Sequence, residues 1–228
     1  MKKIILTLLL SGSVFAGVER QTNAIQSPTV PHVPTGAIIQ DPGFEAGPFG
    51  GVWTESSTNF GSPICDIGLC GTGTGTGPNS GNFWAWFGGT SAFEEGSVSQ
   101  SVTFPGNSFI TLNFNIEMIV CGGDAFMEVL VDGNQEFLVD ETSPLCGNLG
   151  YSLQSVDLSA YSGQTVSLEF HSIVNQSSAA NSNIFLDDIS VDVVAAGPPP
   201  VIPSLQTYGI IALILSLLSL VYIRRNKV

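Results

Sequence analysis

The chain has 228 residues, with 19 acidic side chains against 6 basic ones and a formal net charge of −13. The bases, Lys2, Lys3, Arg20, Arg224, Arg225 and Lys227, all lie near the two ends, and none falls between Gln21 and Ile223. A long middle without Lys or Arg cannot grip phosphates, which excludes nucleic acid as a partner. An anionic polysaccharide would be repelled unless a cation bridged it.

Lys2 and Lys3 precede the apolar run 4–10, and Val14-Phe15-Ala16 supplies small residues at cleavage spacing. This predicts a secretory signal peptide over 1–16. Residues 17–37, with Pro28, Pro31 and Pro34, read as a disordered leader. Residues 38–194 then have the length of one domain.

Within that domain Val52-Trp53-Thr54 suggests a first strand. The stretch 61–80 contains a Gly-Thr run, 71–77, and reads as a mobile surface loop. Strands are predicted at 82–87, 97–104, 109–118, 125–131, 135–139, 151–158, 165–173 and 184–193. The clearest is 109–118, where Ile110, Leu112, Phe114, Ile116 and Met118 alternate with Thr111, Asn113, Asn115 and Glu117. Asp132-Gly133 is a hairpin signal between two of them. Many short alternating strands, with no amphipathic helix among them, mean an all-β fold: a two-sheet antiparallel β-sandwich or jelly roll.

The end of the chain changes character. A Pro-rich linker, 195–201, leads into 202–228, where 208–223 carries no charge and is followed by Arg224, Arg225 and Lys227. A run apolar all round needs lipid or a large interior, and this one is slightly short of the ~20 residues of a spanning helix. It is expected to be one C-terminal transmembrane helix with its basic end in the cytoplasm.

Four cysteines in an exported domain allow three pairings. Cys65 and Cys70 bracket a turn, and Cys121 and Cys146 flank a strand pair, which favours these two bridges. A tetrahedral metal site lacks nearby histidine and the usual Cys spacing. Trp84 and Trp86 share one strand face and are weak candidates for stacking on a sugar ring, against the plainer reading that they are core. Glu169 and His171 share a face and could do acid–base work, but a strand histidine is more often structural. Adjacent Glu94 and Glu95 point opposite ways on a strand, so they do not form a glycosidase pair. No hydrolase, zinc-protease or phosphate-loop motif is present, and no catalytic residue is assigned.

Two resemblances add to this. Ile202-Pro203-Ser204-Leu205, then Tyr208-Gly209, the apolar run and Arg224-Arg225 resemble the IPTL-CTERM sorting signal, a relative of the PEP-CTERM signals of Gram-negative bacteria. Ser204 stands where that pattern has Thr, and Tyr208 where it has Trp. The resemblance implies an exosortase-type membrane protease as partner, membrane anchoring at least until cleavage, and export through the inner membrane to the cell surface or extracellular matrix. In the domain, Gly43-Phe44-Glu45, Trp53, the stretch 96–102, the stretch 129–133, the stretch 156–166 and Phe185-Leu186-Asp187-Asp188-Ile189 together resemble galactose-binding-like or MAM-like jelly rolls. This implies a non-catalytic sandwich that binds carbohydrate, with extracellular polysaccharide as partner. It also implies a structural Ca²⁺ on Glu45 and Asp188, with Asp41 assisting. The alternatives are a structural or adhesive matrix protein without a small ligand, or a glycan-active hydrolase.

Overall fold

The computed structural model describes residues 38–122, 124–175, 182–197, 213–215 and 217. The signal peptide (1–16), the leader (17–37), the motif residues Ile202, Pro203, Ser204, Leu205, Tyr208 and Gly209, and Arg224 and Arg225 lie outside the described residues. Among the described residues, no helix is long and apolar enough to cross a membrane.

Among the described residues, ten strands form two five-stranded antiparallel sheets. The first sheet runs β1 (Thr54–Ser57), β4 (Glu94–Thr103), β9 (Thr165–Val174), β6 (Ala125–Val131), β7 (Asn134–Asp140) from edge to edge. The second runs β2 (Ile64–Asp66), β3 (Phe83–Gly88), β10 (Asn183–Ala195), β5 (Ser108–Val120), β8 (Ser152–Asp157). This is the expected two-sheet sandwich.

The core is the sum of the inward faces. On β5 the five alternating residues Ile110, Leu112, Phe114, Ile116 and Met118 are all buried, because side chains two apart share a face. Phe114 meets Phe137 and Phe170 edge-on, both at 5.2 Å. Trp53 lies 5.2 Å from Phe44 and donates its indole N–H to the Asp41 carbonyl at 2.9 Å. Between β6 and β7 the two-residue turn Asp132-Gly133 has φ of 49° and 79°, the doubly positive turn whose twist suits a hairpin.

Three features depart from the expectations. A short strand, β2, and a single helical turn, α1 (Ile67–Cys70), occupy part of the predicted loop; the Asp66 carboxylate caps the turn by accepting the Leu69 N–H at 2.8 Å. Second, segment 71–80 is not a free surface loop, because it is packed on the outer face of the second sheet. Glycine makes that approach possible: a Cβ on Gly73 would lie 2.3 Å from the Trp86 ring, and one on Gly75 2.3 Å from the Phe185 ring. Third, the pairing of β10 with β5 slips between Asp187 and Ser190, with Asp188 at φ 49°. This bulge re-aims the two acids toward the start of the domain, where the Ile189 N–H donates to the Pro42 carbonyl at 2.9 Å.

The sulfurs of Cys65 and Cys70, and those of Cys121 and Cys146, are bridged.

Candidate functional site

A cleft of about 470 Å³ opens beside the edge strand β2, with Trp86 as one wall and Phe49, Phe60 and Leu69 around its mouth. Phe49 is 72 % exposed, Leu69 70 % and Phe60 58 %. Three large apolar side chains exposed around one concavity are what a binding site presents. They are also held in place. Glu55 accepts the Phe49 N–H on both carboxylate oxygens at 3.0 Å and the Ser62 hydroxyl at 2.5 Å. Phe49 itself sits at φ 58°, a left-handed backbone that a phenylalanine adopts only when its surroundings impose it. The Phe60 N–H donates to the Ser57 hydroxyl at 3.0 Å. Trp86 is half-buried, and its indole N–H donates to the Asn183 side-chain carbonyl at 3.0 Å. Of the two tryptophans singled out in the sequence, only Trp86 lines the cleft; Trp84 is fully buried, packed with Cys65, Phe185 and Trp86 on the outer face of the sheet. Phe49, Phe60 and Leu69 were not anticipated. Their signal was apolar residues inside Gly-, Ser- and Asn-rich turns, which have no strand face to bury them.

Trp86 continues into a second aromatic group on the outer face of the second sheet, formed by Cys65, Trp84 and Phe185 with Tyr151 beside them. Segment 71–80 covers it. Asn183 donates to the Gly73 carbonyl at 2.9 Å and the Tyr151 hydroxyl to the Gly77 carbonyl at 2.8 Å. The Thr76 amide donates to Glu117 at 3.2 Å, and the Thr76 hydroxyl also bonds that carboxylate. Burial pushes the Tyr151 phenol well above its ordinary pKa, reinforced by the charges of Asp187, Glu117 and Asp188.

Of the acids expected to hold Ca²⁺, Glu45 and Asp188 border Gly43, together with Asp187, which was not among them. A Cβ there would lie 3.6 Å from Asp187 Oδ1, 3.7 Å from Asp188 Oδ1 and 3.9 Å from Glu45 Cγ. Oxygen donors of this kind suit Ca²⁺. Their lone pairs are nevertheless engaged by the protein. Glu45 accepts the amides of Asn82 and Phe83 at 2.8 and 3.1 Å. Asp187 accepts those of Asn79 and Ser80 at 2.7 and 3.1 Å, and Asp188 accepts the Ser80 hydroxyl at 2.5 Å. Burial pushes Asp187 up to about 7 against these bonds. Among the described residues, no three His, Cys, Asp or Glu side chains stand around one point as metal ligands. Asp41 is not part of the group, because its carboxylate closes a local turn by accepting the Ala46 N–H at 3.2 Å.

His171 and Glu169 line one shallow groove on the outer face of the first sheet, but the partners of His171 come from neighbouring strands. Nδ1 lies 2.9 Å from Glu128 and Nε2 3.1 Å from Glu95. When both nitrogens donate to these carboxylates the ring is the doubly protonated cation, which has no lone pair to offer as a general base. Glu94 points inward, is buried and accepts the Asn59 amide at 3.0 Å.

No protein-family model and no curated protein matches the chain. Among solved structures it is similar to TmCBM61 in complex with β-1,4-galactotriose, at 15 % identity and a TM-score of 0.50, over 69 % of this chain and 98 % of that one. It is also similar to a cyclase from Fischerella sp. TAU in complex with 4-(1H-indol-3-yl)butan-2-one, at 13 % identity and 0.45, over 72 % and 100 %. A third is the CBM22-1 xylan-binding domain from Paenibacillus barcinonensis Xyn10C, at 15 % identity and 0.41, over 72 % and 99 %. The first likeness carries the fold, a jelly-roll sandwich of the kind used by carbohydrate-binding modules, and at this identity it carries the fold alone.

Proposed function

We propose that the chain is an exported protein whose β-sandwich binds a neutral polysaccharide, without catalysis, in the cleft beside Trp86. The observation that carries this reading is the cleft itself. The apolar face of a pyranose matches the flat face of an aromatic ring, and Trp86, Phe49 and Phe60 offer three rings around one opening, with the Ser62 hydroxyl among them. The likeness of the fold to a module crystallised with β-1,4-galactotriose supports the ligand class. The lack of any Lys or Arg between Gln21 and Ile223 favours an uncharged glycan over an anionic one. The engagement of both His171 nitrogens supports the non-catalytic reading.

Export rests on the ends of the chain. Residues 1–16 would direct secretion. The motif from Ile202 to Gly209 and the basic Arg224-Arg225 would hold the protein in the membrane until an exosortase-type protease releases it to the surface or matrix of a Gram-negative cell. Mass spectrometry of the protein from cells and medium tests this, since a secreted form still ending at Val228 would refute processing.

The binding reading is tested by titrating the full-length chain with galactan- and xylan-derived oligosaccharides, with and without Ca²⁺. Phe49→Ala and Phe60→Ala should each weaken binding by about tenfold, which is 1.4 kcal/mol, at unchanged melting temperature. Absence of binding to every neutral glycan would leave a structural or adhesive role.

A further inference from the structure

The open cleft ends at Trp86, but the aromatic surface does not. Along the outer face of the second sheet the Trp86 indole meets Phe185 edge-on at 5.1 Å and lies nearly parallel to Trp84 at 6.5 Å. Polar groups border this row: Asn183, Tyr151 and the buried carboxylates of Glu117 and Asp187. Uncovered, it would be a longer version of the cleft.

Segment 71–80 covers it in the way a sugar would. Gly73 and Gly75 lie flat on the Trp86 and Phe185 rings, with no side chain between. The donors of Thr76, Asn79 and Ser80 answer the carboxylates of Glu117 and Asp187, and the carbonyls of Gly73 and Gly77 accept from Asn183 and Tyr151. Flat contact with rings and hydroxyl-like bonds to acids and amides are also the contacts of a glycan.

The covered arrangement carries two costs. Thr74, a β-branched residue between the two ring-contacting glycines, is held at φ 76°, a backbone region that disfavours such side chains. The Trp84 indole N–H is buried without a hydrogen-bond partner, which costs the group its hydration with nothing in return. Neither feature serves the sandwich core, which lies on the other face of the sheet.

We propose that segment 71–80 is a displaceable strap, and that the row Trp86, Phe185, Trp84, with Glu117 and Tyr151, extends the cleft to accept further units of a neutral glycan chain. This rests on the reading of the cleft as a sugar site. A site covered most of the time binds with an affinity reduced by the fraction of time it is open, so loosening the strap should raise the affinity for long chains and leave that for short ones unchanged.

The experiment uses the full-length chain and β-1,4-linked xylo- and galacto-oligosaccharides of two to six units, measured by calorimetry. Two variants loosen the strap: Gly75→Ala, whose new methyl overlaps Phe185, and Thr76→Val, which removes only the hydroxyl bonded to Glu117. Both should raise hexasaccharide affinity by about fivefold or more, close to 1 kcal/mol, with the disaccharide unaffected. Acrylamide quenching of tryptophan and hydrogen exchange over 71–80 should rise in parallel. Faster exchange with no gain for the hexasaccharide overturns the strap proposal, and if Gly75→Ala does not fold, Thr76→Val decides. Disaccharide binding that Phe49→Ala fails to weaken overturns the cleft reading instead. Binding of no saccharide by any form overturns both.

Discussion

Nδ1 of His171 lies 2.9 Å from a carboxylate oxygen of Glu128, across the pairing of β9 with β6. Nε2 reaches Glu95 on β4, at 3.1 Å, so one imidazole ties three neighbouring strands. Both bonds are charge-assisted only when the ring carries two protons. Burial opposes that charge, but the hydrogen bonds and charges of Glu128 and Glu95 outweigh it, and His171 titrates above its ordinary value of 6.5. Glu169 faces the same groove and adds negative charge. A raised folded-state value means that the stabilisation is complete below about 6.5 and is lost as pH rises through the folded value. The melting temperature should therefore fall as pH rises from about 6 through the raised His171 value. Asp187, raised to about 7, adds a falling limb of its own from 3.8 upward. The readout is thus the difference between wild type and His171→Gln, measured by calorimetry without added Ca²⁺. Identical pH profiles in the two proteins would refute the clamp.

Phe114 supports a second prediction, because it joins both sheets through Phe137 and Phe170. Phe114→Ala should cost about 3–5 kcal/mol, the range for emptying a buried aromatic site. Thr111, on the opposite face of the same strand, is partly exposed, and Thr111→Ala should stay within about 0.5 kcal/mol. Urea unfolding of the two variants checks the contrast, and similar losses would mean that the strand does not have one buried face.

That contrast is legible in the sequence because burial on one face leaves a period of two, and β5 keeps it for five residues. Asp132-Gly133 is legible for a related reason, since few residue pairs tolerate two positive φ values. β2 has only three residues, too few for a period to appear. Segment 71–80 reads as loose because glycine suggests freedom, whereas here its missing side chain permits contact with rings. Glu117 falls on the outward parity, as expected, yet is buried, because what covers it lies 41 residues away in the chain. The cleft was hidden for the same reason. Phe49, Phe60 and Trp86 come from three separate segments, and only the fold brings them together.

The acids around Gly43 make the calcium proposal testable. Glu45, Asp187 and Asp188 border Gly43 without any Lys or Arg in the domain to answer them. Ca²⁺ held there by Glu45 and Asp188 would have to displace the Ser80 and Asn79 donors from Asp188 and the Asn82 and Phe83 amides from Glu45. At a hundred times its Kd it would add about 2.7 kcal/mol, or roughly 5–11 °C in melting temperature for a domain of this size. Asp188→Asn should abolish the shift. A melting temperature indifferent to millimolar Ca²⁺ in the wild type rules the site out.

The two disulfides should separate stability from binding. Cys121 and Cys146 are 25 residues apart, and Cys65 and Cys70 only 5. By the chain-entropy relation, the longer loop stabilises by about 3.5 kcal/mol and the shorter by about 2. Position reverses that order for function. Cys65, Leu69 and Cys70 line the cleft, while neither Cys121 nor Cys146 does. Leu69 sits on a single helical turn, too short to persist alone, whose last residue, Cys70, is tied back to Cys65 on the preceding strand. The double variant Cys65→Ala/Cys70→Ala should therefore lose less stability than Cys121→Ala/Cys146→Ala, yet weaken oligosaccharide binding about tenfold, while the other pair leaves affinity unchanged below its melting temperature. Urea midpoints and calorimetric titration on the same preparations measure both quantities. Equal loss of affinity in the two variants would show that the cleft depends on global stability and not on the turn that the short bridge holds.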